Sequence, residues 1–155
     1  WPPYAREAPA HFFRRGMHYL FSSGTTGYYP NPTLIHAGET YHGPFVNYGK
    51  AHHDALENTS FNSQISSVFM YPGKKDLYIA LADRWITDAA QSLPYEKSSA
   101  AFESICNPDA PKVDLSCLHM DIDTSKAGYV WLPVKFDRDV PYLEWQDEWK
   151  VEDFM

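Results

Sequence analysis

The spacing of aromatic and β-branched residues constrains this chain more than any other feature. They recur in short runs punctuated by Gly, Pro and Asn, and no window holds apolar residues at helical spacing for three turns. An all-β fold is therefore expected. The clearest hairpin lies at 11–22, where Phe12-Phe13 and Tyr19-Leu20-Phe21 flank the turn Arg14-Arg15-Gly16-Met17. Strands are expected at 33–37 and 45–48, separated by the turn signal Gly43-Pro44. A second hairpin spans 65–82, with Pro72-Gly73-Lys74-Lys75 as its turn and Leu77-Tyr78-Ile79-Ala80-Leu81 as an apolar return strand. Residues 86–126 are rich in Ser, Ala, Asp and Pro with weak periodicity, which reads as a surface insertion with one helical turn near 98–104. Strands resume at 129–136 and 142–145. Short antiparallel strands of this kind suit a sandwich, a barrel or propeller blades, and periodicity alone does not separate the three.

A chain that is 44% hydrophobic, 16% aromatic and 21% charged is too apolar for disorder and shows aromatic faces. Its net charge of -7 offers no basic stripe, so neither nucleic acid nor an anionic membrane surface is an expected partner. No run approaches the ~20 apolar residues of a membrane helix. The opening Trp1-Pro2-Pro3-Tyr4 has no charged n-region or apolar h-region, so any signal peptide is expected to lie outside this sequence. Cys106 and Cys117 sit in one loop-like segment without zinc-site spacing and read either as a local disulfide or as two unpaired thiols. Asn58-Thr59-Ser60 is a glycosylation sequon. The seven histidines lack the i, i+4 pairing of a zinc enzyme, so no catalytic metal is expected. The absence of a G-x-S-x-G elbow, a P-loop and a dinucleotide fingerprint removes the commonest esterase, nucleotide and redox readings.

Six motifs in order carry a family resemblance. Glu7-Ala8-Pro9-Ala10 opens the first hairpin, followed by Ser23-Gly24-Thr25-Thr26-Gly27-Tyr28-Tyr29-Pro30-Asn31 and Thr59-Ser60-Phe61-Asn62-Ser63-Gln64. Asp83-Arg84-Trp85 comes next, and Tyr129-Val130-Trp131-Leu132-Pro133 with Trp145-Gln146-Asp147-Glu148-Trp149 closes the series. Together they resemble glycoside hydrolase family 43, in the branch that trims β-1,3-linked galactan. The resemblance covers nearly the whole chain except 86–126. This chain has Tyr28 where the branch usually has Trp, and Thr25 where it has Cys.

The resemblance implies a five-bladed β-propeller, of which residues 1–155 would be the C-terminal portion, about the last two to three blades. An isolated portion would expose apolar blade faces, so the missing N-terminal propeller half is an expected partner. The resemblance also implies a secreted enzyme acting on β-1,3-galactan or an arabinogalactan-type polysaccharide. No cofactor is expected to be required, although family members often hold a structural calcium near the axis.

Inverting hydrolysis needs a protonated carboxyl near the leaving oxygen and, about 6.5 to 9.5 Å away, a group that activates water. The resemblance implies Glu7 as the acid; taken alone, Glu7 reads as a loop carboxylate near Arg6. It implies Gln64 at the base position, where an amide would have to orient the water or act through its imidic tautomer. The alternative is a Gln bonded to strand backbone. Tyr28, Trp85 and Trp131 are candidates to stack on a sugar ring, against core packing as the commoner fate of an aromatic. Asp83 and Arg84 are candidate hydrogen-bonding groups for a hydroxylated ligand, or a structural ion pair. Thr26 and Asn31 lie in a Gly/Pro-rich loop and are candidate hydroxyl binders. Two further readings are a non-catalytic galactan-binding module and another family 43 specificity, such as arabinofuranosidase or xylosidase.

Overall fold

The computed structural model describes residues 1–53, 58–119 and 121–155. It contains two four-stranded antiparallel sheets, each in simple sequence order. The first holds β1 (Arg6–Arg14), β2 (Met17–Gly24), β3 (Leu34–Gly38) and β4 (Val46–Lys50). The second holds β5 (Gln64–Met70), β6 (Tyr78–Arg84), β7 (Gly128–Asp137) and β8 (Val140–Tyr142). These are two blades of a β-propeller, so the all-β expectation holds.

The first hairpin turns where the sequence places it. Arg15 and Gly16 take φ of 49° and 86°, the paired left-handed residues of a two-residue turn whose twist matches the strands. The second hairpin, β5–β6, also follows the expected limits to within two residues at either end. The last strand does not. It runs over Val140–Tyr142 rather than 142–145, because Leu143 leaves the sheet and donates its N–H to the Ala51 carbonyl at 2.7 Å, tying the end of one blade to the other.

Alternation along the strands builds one shared core. Phe12, Tyr19, Phe21, Ile35 and Ala37 of the first sheet face Ile65, Val68, Tyr78, Ala80, Val130, Leu132 and Val134 of the second. Full burial of each large side chain contributes about 1.5–3 kcal/mol. The residues of opposite parity point away: His11, Phe13, His18 and Leu20 on the first sheet, Tyr129 and Trp131 on the second. Each sheet therefore keeps one uncovered face, with Phe13, Tyr129 and Trp131 at least half exposed.

At the end of the sheets away from Glu7, a single cation joins three turns. Arg14 is 5% exposed, pairs with both Asp76 oxygens at 2.7 Å and lies 3.7 Å above the Phe136 ring. It also donates to the Arg138 carbonyl at 3.3 Å. The Arg14 contact holds the Asp76 carboxyl below the usual carboxylate range. Tyr19 reinforces the junction by donating to the Asp139 carbonyl at 2.7 Å.

The segment between β6 and β7 is more ordered than its composition suggests. The single turn expected near 98–104 is a 12-residue helix, α1 (Tyr95–Cys106). Its buried residues are Ser98, Ser99, Ala101 and Ser104, so its inner face is small rather than apolar and gives no hydrophobic stripe to read. Phe102 reaches from α1 to Gly27, where φ of 56° and an atom 3.1 Å from any added Cβ require glycine. Of the two thiol readings, the unpaired one holds: Cys106 and Cys117 are both free. In the sequon, Asn58 accepts a hydrogen bond from Lys50 at 2.6 Å and Ser60 is fully buried. Among the described residues no helix is long and apolar enough to cross a membrane.

Two outcomes are expected. Asp76→Asn removes the bidentate partner of the buried Arg14, leaving it only the longer contact to the exposed Asp139 at 3.5 Å, and should lower the unfolding free energy in urea by about 3 kcal/mol. His52 is 1% exposed, its Nδ1 has no hydrogen-bond partner among the described residues, and burial pushes its imidazole down to about 3. The unfolded chain takes up that proton below the ordinary value of 6.5 while the folded chain does not, so stability should fall as pH drops from 6.5 toward 3. The slope attributable to His52 approaches about 1.4 kcal/mol per pH unit, and His52→Phe should remove it.

Candidate functional site

The site is assembled on an unusual turn. Ser60, Phe61 and Asn62 take φ of 51°, 58° and 58°, three consecutive non-glycine residues in left-handed conformation, two positions before Gln64 opens β5. Each is held separately. The fully buried Ser60 hydroxyl donates to the Asn31 carbonyl at 2.7 Å and accepts from the Thr33 N–H at 2.9 Å. Phe61 is 1% exposed against His52 and Trp145. Asn62 donates to the Ile86 carbonyl at 3.0 Å. Arg84 then donates to the carbonyls of Phe61 at 2.8 Å and Asn62 at 3.3 Å.

This turn delivers Gln64 against Glu7. Glu7 sits in β1 opposite Ser23, directly before the irregular stretch where Ala8 takes φ of 49°. Gln64 Nε2 donates to Glu7 Oε1 at 3.0 Å and to Ser23 Oγ at 2.8 Å. Gln64 Oε1 accepts from Trp85 Nε1 at 3.1 Å. An indole N–H only donates, so the atom facing Trp85 must be the amide oxygen and the NH2 must face Glu7. Glu7 is half-buried in a strand, not an exposed loop carboxylate, and Arg6 beside it is engaged with the Ser22 and Pro32 carbonyls.

Gln64 touches Glu7 at 3.0 Å with its carbonyl turned toward Trp85, so its side chain is bonded to other side chains rather than to strand backbone.

Tyr28 and Trp85 form an aromatic wall beside Gln64, with ring centroids 5.5 Å apart. With Ser23, Asn62 and Ser63 they line a cleft enclosing about 10 Å³, room for about one water, and Tyr28 is 44% exposed at its edge. Thr26 and Asn31, the candidate hydroxyl binders, are engaged within the protein. Thr26 is fully buried, donating to the Tyr29 carbonyl at 2.6 Å and accepting from Asn31 at 2.7 Å. Asn31 uses its remaining amide hydrogen on the Gly24 carbonyl at 3.0 Å and its oxygen on the Gly24 N–H at 2.6 Å. Together they staple the loop that carries Tyr28. His119 donates its N–H to the Tyr29 hydroxyl at 2.7 Å, so the β6–β7 segment braces the same loop.

Three other candidates separate from this cluster. Arg84 clamps the left-handed turn, lies 5.3 Å from the Trp145 ring and forms no ion pair with Asp83. Burial pushes its guanidinium down. Asp83 and Trp131 line a different groove with Tyr129 and Leu81, of about 250 Å³, on the uncovered face of the second sheet. Sequence reasoning missed Ser23 and Ser60, whose buried hydroxyls organise the site and carry no signal beyond membership of their motifs. Among the described residues no three His, Cys, Asp or Glu side chains converge to hold a metal ion.

No protein-family model and no curated protein matches this chain. Solved structures do match it. A family 43 β-1,3-galactosidase superposes with a TM-score of 0.70 at 26% identity, over 96% of this chain and 24% of that one. A second, in complex with galactodeoxynojirimycin, gives 0.67 at 22% identity over 93% of this chain and 32% of that one. An exo-β-1,3-galactanase from Clostridium thermocellum gives 0.55 at 22% identity over 90% of this chain and 23% of that one. The structural likeness is thus to glycoside hydrolase family 43, the family the sequence motifs resemble. The chain spans 23–32% of the length of these solved chains.

Because Arg84 satisfies two carbonyls of a strained turn, Arg84→Met should lower the unfolding free energy by about 2–3 kcal/mol. Urea melts would read the loss, and cross-peaks of residues 60–64 should shift more than those around Arg14.

Proposed function

We propose that this chain supplies the acid-bearing blades of an exo-acting, inverting β-1,3-galactanase, as the C-terminal portion of a family 43 propeller. The observation that supports it is the Glu7 carboxyl, held by Gln64 beside the aromatic wall of Tyr28 and Trp85, in a fold whose solved neighbours include β-1,3-galactosidases. The terminal galactose would rest its C–H face on this wall, and the substrate would be β-1,3-galactan or an arabinogalactan-type polysaccharide. Glu7 gives its proton to the glycosidic oxygen as the C1–O bond breaks. Water attacks C1 from the opposite face and yields its proton to a base. Gln64, beside Glu7, is the group of this chain that would orient that water or take its proton through the imidic tautomer. The two uncovered sheet faces suit further blades of the propeller, since a radial array buries each blade against its neighbours. Secretion fits a polysaccharide substrate. A calcium near the axis would be structural and would draw on those other blades.

A second reading, a non-catalytic galactan-binding propeller portion, is favoured by one feature: Glu7 is the only carboxylate hydrogen-bonded within the described cluster.

The test is galactose release from β-1,3-galactan by this chain combined with the remaining blades. Glu7→Gln should lower the rate by about 10²–10⁴-fold while oligosaccharide binding persists. Binding without any release by the unsubstituted protein would favour the second reading.

A further inference from the structure

We propose that Phe102 of helix α1 is a positioning residue which, from behind the loop at 25–33 between β2 and β3, sets Tyr28 against Trp85 and so tunes the affinity of the cleft for a galactose ring. This rests on the galactanase reading above. Tyr28 does little to hold itself. Its ring is 44% exposed and meets the Trp85 ring at 5.5 Å between centroids. Its place is inherited from the backbone on either side, and both neighbours are held by the segment at 86–126, the stretch outside the family resemblance. Before it, Gly27 turns the chain at φ of 56°, and the Phe102 ring lies so close that an added Cβ would meet its Cζ at 3.1 Å. After it, Tyr29 is 2% exposed and packs edge-on against Phe102 at 6.4 Å between centroids. The Tyr29 hydroxyl accepts the His119 N–H at 2.7 Å. One side chain of the helix thus touches both neighbours of Tyr28.

The helix is itself anchored, so it can act as a prop. Ser98 is fully buried and Ala101 is 1% exposed on its inner face. Tyr4 donates its hydroxyl to the Glu103 carboxylate at 3.2 Å, tying α1 to the chain ahead of β1. Lys112 donates to the Ser104 carbonyl at 2.7 Å and the Val113 N–H to the Ser104 hydroxyl at 3.2 Å, which folds the following stretch back onto α1. A loop already ordered in its binding conformation loses less freedom when a sugar docks, so the contact acts on affinity. Phe102 does not line the cleft, whose wall runs from Gly27, Tyr28 and Tyr29 to Gln64 and Trp85. Once the sugar is bound, bond cleavage at Glu7 should proceed at an unchanged rate.

The experiment measures β-1,3-galactobiose hydrolysis by the protein carrying all its blades. Phe102→Ala should raise KM about five- to tenfold with kcat changed by less than about twofold, the pattern of lost uniform binding. Phe102→Leu, which keeps an apolar side chain behind Gly27, should restore KM to within about twofold. Tyr28→Ala should raise KM at least as much, and adding Phe102→Ala to it should cost less than about a further twofold, because the two act through one ring. Val134→Ala, in the buried core away from the cleft, should lower the urea midpoint yet leave KM within about twofold. An unchanged KM in Phe102→Ala, a fall in kcat at constant KM, Phe102→Leu no better than Phe102→Ala, or an equal rise in KM in Val134→Ala would overturn the proposal. If the unsubstituted protein neither binds nor cleaves galactobiose, the galactanase reading fails by itself. The positioning is then read by NMR: cross-peaks between Tyr28 and Trp85 ring protons that are lost in Phe102→Ala and kept in Phe102→Leu support it, and identical cross-peaks in Phe102→Ala and the unsubstituted protein refute it.

Discussion

Three left-handed residues in a row, Ser60, Phe61 and Asn62, are the constraint around which the rest is organised. For L-residues each such conformation costs roughly 1–2 kcal/mol, and Phe61 has no short polar side chain to soften it. The turn persists because every member is fixed by something distant in sequence. Ser60 bonds to residues 31 and 33, Phe61 packs on His52 and Trp145, and Asn62 and its carbonyl meet Ile86 and Arg84. Strained backbone held by its surroundings is found where a side chain must be delivered to one place. Here that side chain is Gln64.

The two ends of the blade pair are built on different terms. At one end Arg14 joins three turns through a bidentate ion pair and a ring face, an arrangement that chiefly stabilises. At the other end the buried hydroxyls and amides of Thr26, Asn31, Thr33 and Ser60 bond one another, so that loss of one partner leaves another unsatisfied. The apolar core between them carries most of the folding free energy and lets the site end tolerate strained geometry.

The sequence discloses the hairpins because turn chemistry and alternation are local. Arg15-Gly16 needs positive φ at both positions, and the strands beside it alternate cleanly. Helix α1 is hidden because its buried face is Ser98, Ser99, Ala101 and Ser104, with no apolar periodicity to detect. In the site, Glu7, Gln64, Tyr28 and Trp85 come together from four separate motifs, which residue types in order can suggest. What the order does not disclose is which polar groups are already satisfied. Thr26, Asn31 and Arg84 look like ligand groups until their hydrogen bonds are traced to backbone carbonyls. Trp131 sits in a motif beside the others, but strand parity turns it to the opposite face.

An amide at position 64 has a physical rationale that a carboxylate would not. A second carboxyl 3.0 Å from Glu7 would share its proton, and the two would titrate as a pair rather than as one acid with one task. Glutamine supplies a hydrogen bond of fixed sense without competing for the proton, provided something fixes which end of the amide faces the carboxyl. Tryptophan is suited to that, because its N–H donates and cannot accept. The uncovered faces of the two sheets are where the next blades of a propeller would stand, since a radial array buries each blade against its neighbours.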